Sequence, residues 1–185
     1  MSKIQDQIKA HQELTTKLYS LVAAIEVIGQ RLISATAENK TIFWCGNGGS
    51  AADAQHLAAE LVARFEKNRR AIRSIALTTD TSIITAISND YGFETLFTRQ
   101  LEALSQPGDI LMALSTSGNS ENVNHAVNYA NEHHMDTIAL SGKGGGALNT
   151  IAKLCLVIPS PTTARIQEMH ILIGHILCQM IEEHL

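Results

Sequence analysis

The chain has 185 residues, of which 45% are hydrophobic and 17% charged, with a formal net charge of −4. This composition excludes a disordered chain, and the length suffices for one buried core without disulfide or metal staples. With no basic stripe, nucleic acid is not expected as a partner.

The opening segment "MSKIQDQIKAHQELTTK" is polar and charged, without the apolar core of a signal peptide. No run reads as long enough to span a bilayer, so a cytoplasmic protein with no membrane partner is expected. Ile4, Ile8, Leu14, Leu18, Leu21, Val22, Ile25, Ile28 and Leu32 recur at three- and four-residue steps. That spacing predicts a long amphipathic N-terminal helix, broken near Gly29.

From "TIFWC" onward, short apolar runs alternate with helical stretches. Strands are expected at Thr41–Cys45, Ile72–Thr79, Ile110–Leu114, Thr137–Leu140 and Leu154–Ile158. Helices are expected to start near Ser50, Thr81, Phe93, Ser120 and Ala147. In "FETLFTRQLEAL", Phe93, Leu96, Phe97, Leu101 and Leu104 share one face. Such alternation predicts an α/β fold, a parallel sheet covered on both faces. The closing "TTARIQEMHILIGHILCQMIEEHL" reads as one helix, apolar nearly all round at its middle and so buried on most sides, with the N-terminal helix as a partner surface. No linker or repeat divides the chain, and residues 1–185 read as one domain. Cys45, Cys155 and Cys178 are widely spaced among apolar residues and read as buried thiols in a reducing compartment.

Three loops follow the carboxyl ends of strands, where open parallel sheets collect ligands: "GNGGS" after Cys45, "STSGNS" after Leu114 and "SGKGGG" after Leu140. The first satisfies the loose dinucleotide pattern, which a turn needing positive φ also satisfies; a nicotinamide enzyme would further want Asp80 on the ribose. Ser50 and Asp53 have capping-box spacing, so Asp53 reads as a helix cap. In the second loop Ser115, Thr116, Ser117 and Ser120 bring four hydroxyls to a strand–helix junction, suited to a phosphate without Lys or Arg. An ordinary Ser- and Gly-rich turn has the same composition.

His56 and Glu60 are four apart and share a helix face, as an ion pair or as ligands of something held by the glycine turn. Gln167, Glu168, His170 and His175 interrupt the apolar last helix, and buried polar groups need partners that a shared metal or substrate supplies. By helical angle Glu168 lies closer to His175 than Gln167 does, and the spacing does not choose between them. His11, His125, His133, His134 and His184 read as solvated.

"CGNGGSAADAQHLAAEL", "AISNDYGFETLFTRQL", "ALSTSGNSENV", "LSGKGGG" and "TARIQEMHILIGHILC" together resemble the sugar isomerase (SIS) domain family over nearly the full length and in the same order. The resemblance implies a flavodoxin-like, doubly wound five-stranded parallel sheet. It implies a homotetramer with active sites between subunits, the segment 1–38 serving the assembly. The implied activity is isomerisation of sedoheptulose 7-phosphate to the corresponding aldose through a cis-enediol. Substrate contacts are implied for Asn47, Gly48, Gly49, Glu60, Asn89, Asp90, Ser115, Thr116, Ser117, Ser120 and Gln167. One zinc ion per subunit is implied on His56, Glu60, Gln167 and His175, with Glu60 and His175 as the acid/base pair. A near relative in the family keeps the loops but binds the bacterial replication initiator; that branch lacks the Glu and His that stand here at 60 and 175.

Overall fold

The computed structural model describes residues 2–185. Two N-terminal helices, α1 (Lys3–Lys17) and α2 (Val22–Ala37), are joined by a 3-10 turn at Leu18–Leu21. Strands and helices then alternate: β1 (Ile42–Gly46), α3 (Gly49–Val62), β2 (Ser74–Ala76) and α4 (Thr81–Asp90). A 3-10 turn (Phe93–Thr95) leads into α5 (Leu96–Leu104), β3 (Ile110–Ser115), α6 (Glu121–Glu132) and β4 (Asp136–Gly142). The short α7 (Leu148–Ile151), β5 (Leu154–Ile158) and the long α8 (Thr163–Glu183) complete the chain.

The sheet has the order β2-β1-β3-β4-β5, every pair parallel. Side chains alternate between its faces, as a pleated strand requires. Ile42 and Trp44 of β1, Ile110, Met112 and Leu114 of β3, and Ile138 and Leu140 of β4 pack with α2, α3 and α8. Phe43, Cys45, Leu111, Ala113 and Ala139 face the other way, into α5, α6 and α7. Two apolar cores therefore sandwich one sheet, the doubly wound arrangement the sequence predicts.

The order reverses between β1 and β3, which makes that junction the switch point where ligands collect. Gly46 stands beside Leu114 in the ladder, so the glycine turn and the serine loop leave the sheet side by side.

Three expectations are corrected. The N-terminal helix is interrupted at Leu18–Leu21 and runs unbroken through Gly29; an interior glycine costs a helix only about 1 kcal/mol. The strand expected over Ile72–Thr79 shrinks to Ser74–Ala76, the residues in register with β1, because Ile72 N–H turns to the Leu61 carbonyl at the end of α3. The N-terminal helical segment Lys3–Ala37 is also long and apolar enough to cross a bilayer by length and hydropathy alone, contrary to the expectation of no such run. Its apolar stripe, Leu14, Leu18, Ile25, Ile28 and Leu32, is instead buried in the core that includes α8.

Candidate active site

Helices α3 and α8 run alongside each other and meet at three levels. At the first, Gly49 opens α3 directly beneath the Gln167 amide, where any Cβ would lie 2.5 Å from Nε2. Gly48 precedes it as N-cap with a φ of 56°, a conformation that suits glycine. At the second level, Gly174 lets α8 close on Leu57, whose methyl carbons would stand 2.5 Å from an added Cβ. His56 and His175 flank that contact point in sequence, so the close approach of the helices brings their side chains together.

His56 Nε2 lies 2.9 Å from His175 Nε2 and 3.1 Å from Glu60 Oε1. The three candidate ligand atoms lie within 4.8 Å of one another. One imidazole N–H serves one acceptor, so hydrogen bonding alone does not satisfy this grouping in full. A cation facing three lone pairs does. Two imidazoles and a carboxylate are a known donor set for catalytic zinc, and tetrahedral ligands at zinc-bond length stand about 3.3 Å apart. The cluster fits such an ion. Phe65 stacks on the outer side of His175, ring centroids 5.6 Å apart.

The third level is the end of both helices. Glu182, buried, accepts from the backbone N–H groups of Phe65 (3.2 Å), Glu66 (2.8 Å) and Lys67 (2.7 Å), and pairs with Arg69.

Glu168, which helical angle favoured as a third ligand, is engaged elsewhere: Oε2 is 2.7 Å from His11 Nδ1 and Oε1 pairs with Arg165. His11 is thus a partner of α8 rather than a free surface histidine, whereas His125, His133, His134 and His184 are exposed. His170 is fully buried on another face of α8, its Nε2 3.1 Å from the Ser141 carbonyl. Burial pushes its imidazole down to about 4, against the opposing pull of that carbonyl, so the ring is neutral.

The capping role expected of Asp53 also fails. Gly48 is the N-cap, α3 has no side-chain cap, and Asp53 lies inside the helix with Oδ2 buried and unpartnered. Burial raises its carboxyl above the ordinary value, while nearby His56 pulls it down. Asp80 caps α4 through a 3.0 Å bond from Ile83 N–H.

At the switch point Asn47 and Asn122 exchange amide hydrogen bonds of 2.8 and 2.9 Å, tying the glycine turn to α6. Ser115 Oγ lies 3.0 Å from Ser120 Oγ and 3.5 Å from Ser117 Oγ, and accepts from Gly118 N–H. Thr116 is half-buried in the same loop. Ser120 is the N-cap of α6 but its own side chain makes no capping bond, and in the first turn Asn122 Oδ1 accepts from Val123 N–H at 3.0 Å. Two adjoining cavities open here. One of about 160 Å³ is lined by Asn47, Gly48, Thr78, Phe93 and Phe97 among others. The other, of about 310 Å³, joins Asn47 to Ser120 by way of Phe93, Glu94 and Asn122. Asn89 and Asp90 lie exposed at the end of α4, hydrogen-bonded to each other at 2.7 Å, and line neither cavity.

Asn122, Phe93, Glu94, Phe65 and Glu182 are the neighbours that sequence reasoning missed. Asn122 stood within the quoted "ALSTSGNSENV", and a polar residue opening a helix was its one signal.

Comparison with known proteins adds a second line of support. Residues 7–142 match the family described as the SIS domain. Phosphoheptose isomerase of Akkermansia muciniphila is 47% identical over 182 residues, 98% of this chain and 96% of that protein. The structure of a phosphoheptose isomerase from Francisella tularensis superposes with a TM-score of 0.95 at 37% identity, covering 99% of this chain and all of that one. Phosphoheptose isomerase of Neisseria gonorrhoeae gives a TM-score of 0.91 at 41% identity, over 98% of this chain and 100% of that chain.

Proposed function

The chain belongs to the SIS domain family, and from that premise we infer that it is an aldose–ketose isomerase acting on a heptose phosphate. It converts D-sedoheptulose 7-phosphate to D-glycero-D-manno-heptose 7-phosphate, which feeds ADP-heptose and the inner core of lipopolysaccharide. The observation that carries this reading is the convergence of His56, Glu60 and His175 on a helix pair whose other end is the glycine turn.

The isomerisation moves a proton from C1 to C2 while the carbonyl moves the other way. A C–H so weakly acidic needs a placed base and a stabilised enediolate oxygen. In our reading Ser115, Thr116, Ser117 and Ser120, with the amino end of α6 that the Ser120 side chain leaves uncapped, seat the phosphate. Binding energy at that remote end orients the reacting carbons. Asn47, Gly48, Gly49, Asn89, Asp90 and Gln167 contact the sugar. Glu60 presents Oε1 to the cluster and keeps Oε2 free for a proton. Between them Glu60 and His175 take the proton from C1, return it at C2 of the cis-enediol, and carry the hydroxyl proton between O1 and O2.

His56, Glu60, Gln167 and His175 would hold one zinc ion per subunit, which when bound supplies Lewis-acid polarisation of the carbonyl. The two-histidine, one-carboxylate set and the closeness of its ligand atoms support this.

We further read residues 1–185 as one domain working as a homotetramer with sites between subunits, assembled through 1–38. Exposed Ile4, Ile8, Tyr19, Val22 and Val27 on the N-terminal helices support that assembly, since such apolar faces mark interfaces. The free thiols Cys45, Cys155 and Cys178 support a reducing, cytoplasmic setting.

Glu60→Gln tests the chemistry. We expect turnover to disappear while circular dichroism and sugar-phosphate binding stay near those of the unaltered chain. Near-normal turnover would remove Glu60 from the mechanism.

A further inference from the structure

The buried Arg69–Glu182 pair is used by no step above, yet it sits where α3, α8 and the segment between α3 and β2 meet. The two side chains are 7% and 3% exposed, with Arg69 Nε 3.2 Å from Glu182 Oε1. Both ends of the pair are fully engaged. Arg69 Nη2 donates to the Glu60 carbonyl at 2.7 Å, and Nη1 donates to the Leu61 carbonyl at 2.8 Å. These are carbonyls of the last turn of α3, which have no intrahelical partner. Glu182 gathers three successive backbone N–H groups, those of Phe65, Glu66 and Lys67.

We propose that Glu182, acting with Arg69, is a positioning residue for the His56–Glu60–His175 cluster. It fastens the last turn of α3, which carries Glu60, to the end of α8, two turns beyond His175. The same carboxylate holds the backbone of Phe65, whose ring lies against His175 at a 24° interplanar angle. One buried charge thereby fixes Glu60, His175 and the ring that limits His175's rotation. Burial raises the Glu182 carboxyl, but the Lys67, Glu66 and Phe65 N–H groups and Arg69 outweigh it, so it lies below its ordinary value and stays ionised. A cluster built from two helices needs such support, because partners outside the ligands typically account for 10- to 100-fold in metal affinity.

The inference rests on the cluster being a metal site, so cobalt binding is measured first on the unaltered chain. Cobalt(II) absorption titrations then compare the full chain with Glu182→Gln and Phe65→Leu. Glutamine keeps the shape but turns an NH₂ group toward donors. Phe65→Leu leaves the carboxylate bonds intact and removes only the ring. We expect cobalt affinity to fall about tenfold or more in Glu182→Gln. A smaller fall in the same direction is expected for Phe65→Leu. For both, kcat should drop while KM for the sugar phosphate stays within about twofold, a split that general loosening of the fold does not produce. In the metal-free chain, faster amide exchange at 65–67 should accompany Glu182→Gln and be absent from Phe65→Leu. A folded Glu182→Gln with unchanged cobalt affinity would overturn the proposal while leaving the metal site standing. Should that variant fail to fold, unchanged affinity and kcat in Phe65→Leu would overturn it. No cobalt binding by the unaltered chain would overturn both readings.

Discussion

At the residue scale, placement on a helix separates histidines that look alike in sequence. His170 and His175 are both on α8, but one is sealed behind the Ser141 carbonyl and the other faces His56. The folded pKa of His170, about 4, lies below its ordinary value of 6.5. Below pH 6.5 the unfolded chain therefore binds a proton that the folded chain refuses, and stability falls as pH drops from 6.5 toward 4. The full effect is on the order of 3 kcal/mol. His170→Gln, which still donates to Ser141, should lose correspondingly less stability between pH 7 and pH 4.5 in urea titrations; an equal loss would rule out this origin. The cysteines behave alike for a different reason. Burial pushes Cys45 and Cys178 up to about 12 and Cys155 to about 11. The native chain should therefore resist iodoacetamide at pH 7.5 and react with it fully in urea.

At the scale of elements, the site depends on how closely α3 and α8 approach. Gly174→Ala should push Leu57 aside at about 1–3 kcal/mol of overpacking and separate His56 from His175. Lost metal affinity at a small cost in thermal stability is the expected signature; a metal affinity matching the unaltered chain would show that the helices do not set the cluster. The central strands were legible in the sequence because each carries a continuous apolar run, and β5 falls over Leu154–Ile158 as read. The length of edge strand β2 was not, since Ile72–Thr79 has the composition of a strand but Ile72 N–H bonds to the Leu61 carbonyl, outside the sheet, and Ser74–Ala76 alone register with β1. Nor was the interruption at Leu18–Leu21, where "LYSL" contains no helix breaker and tertiary packing decides. His56 and Glu60 could be placed on one face by spacing alone. His175 lies 119 residues from His56, and no spacing rule joins them. Phe65 and Glu182 were silent for a related reason: one polar residue near a helix end does not announce that it will be buried and bonded to a loop.

At the scale of the whole molecule, the sheet puts the serine loop and the glycine turn side by side, and α8 carries His175 back over α3. Half of the His56 side chain remains exposed, and in the proposed tetramer a second copy would cover it. Replacing Tyr19 and Val27, both exposed on the N-terminal helices, by Glu and Lys should break the proposed tetramer in sedimentation and lower turnover with it; a variant that dissociates yet keeps full turnover would place the whole site within one chain. The central claim is tested most directly by turnover of sedoheptulose 7-phosphate to the heptose 7-phosphate, measured before chelation, after it, and after zinc is added back. The account predicts conversion that chelation abolishes and zinc restores. No conversion by folded, zinc-loaded protein would contradict it.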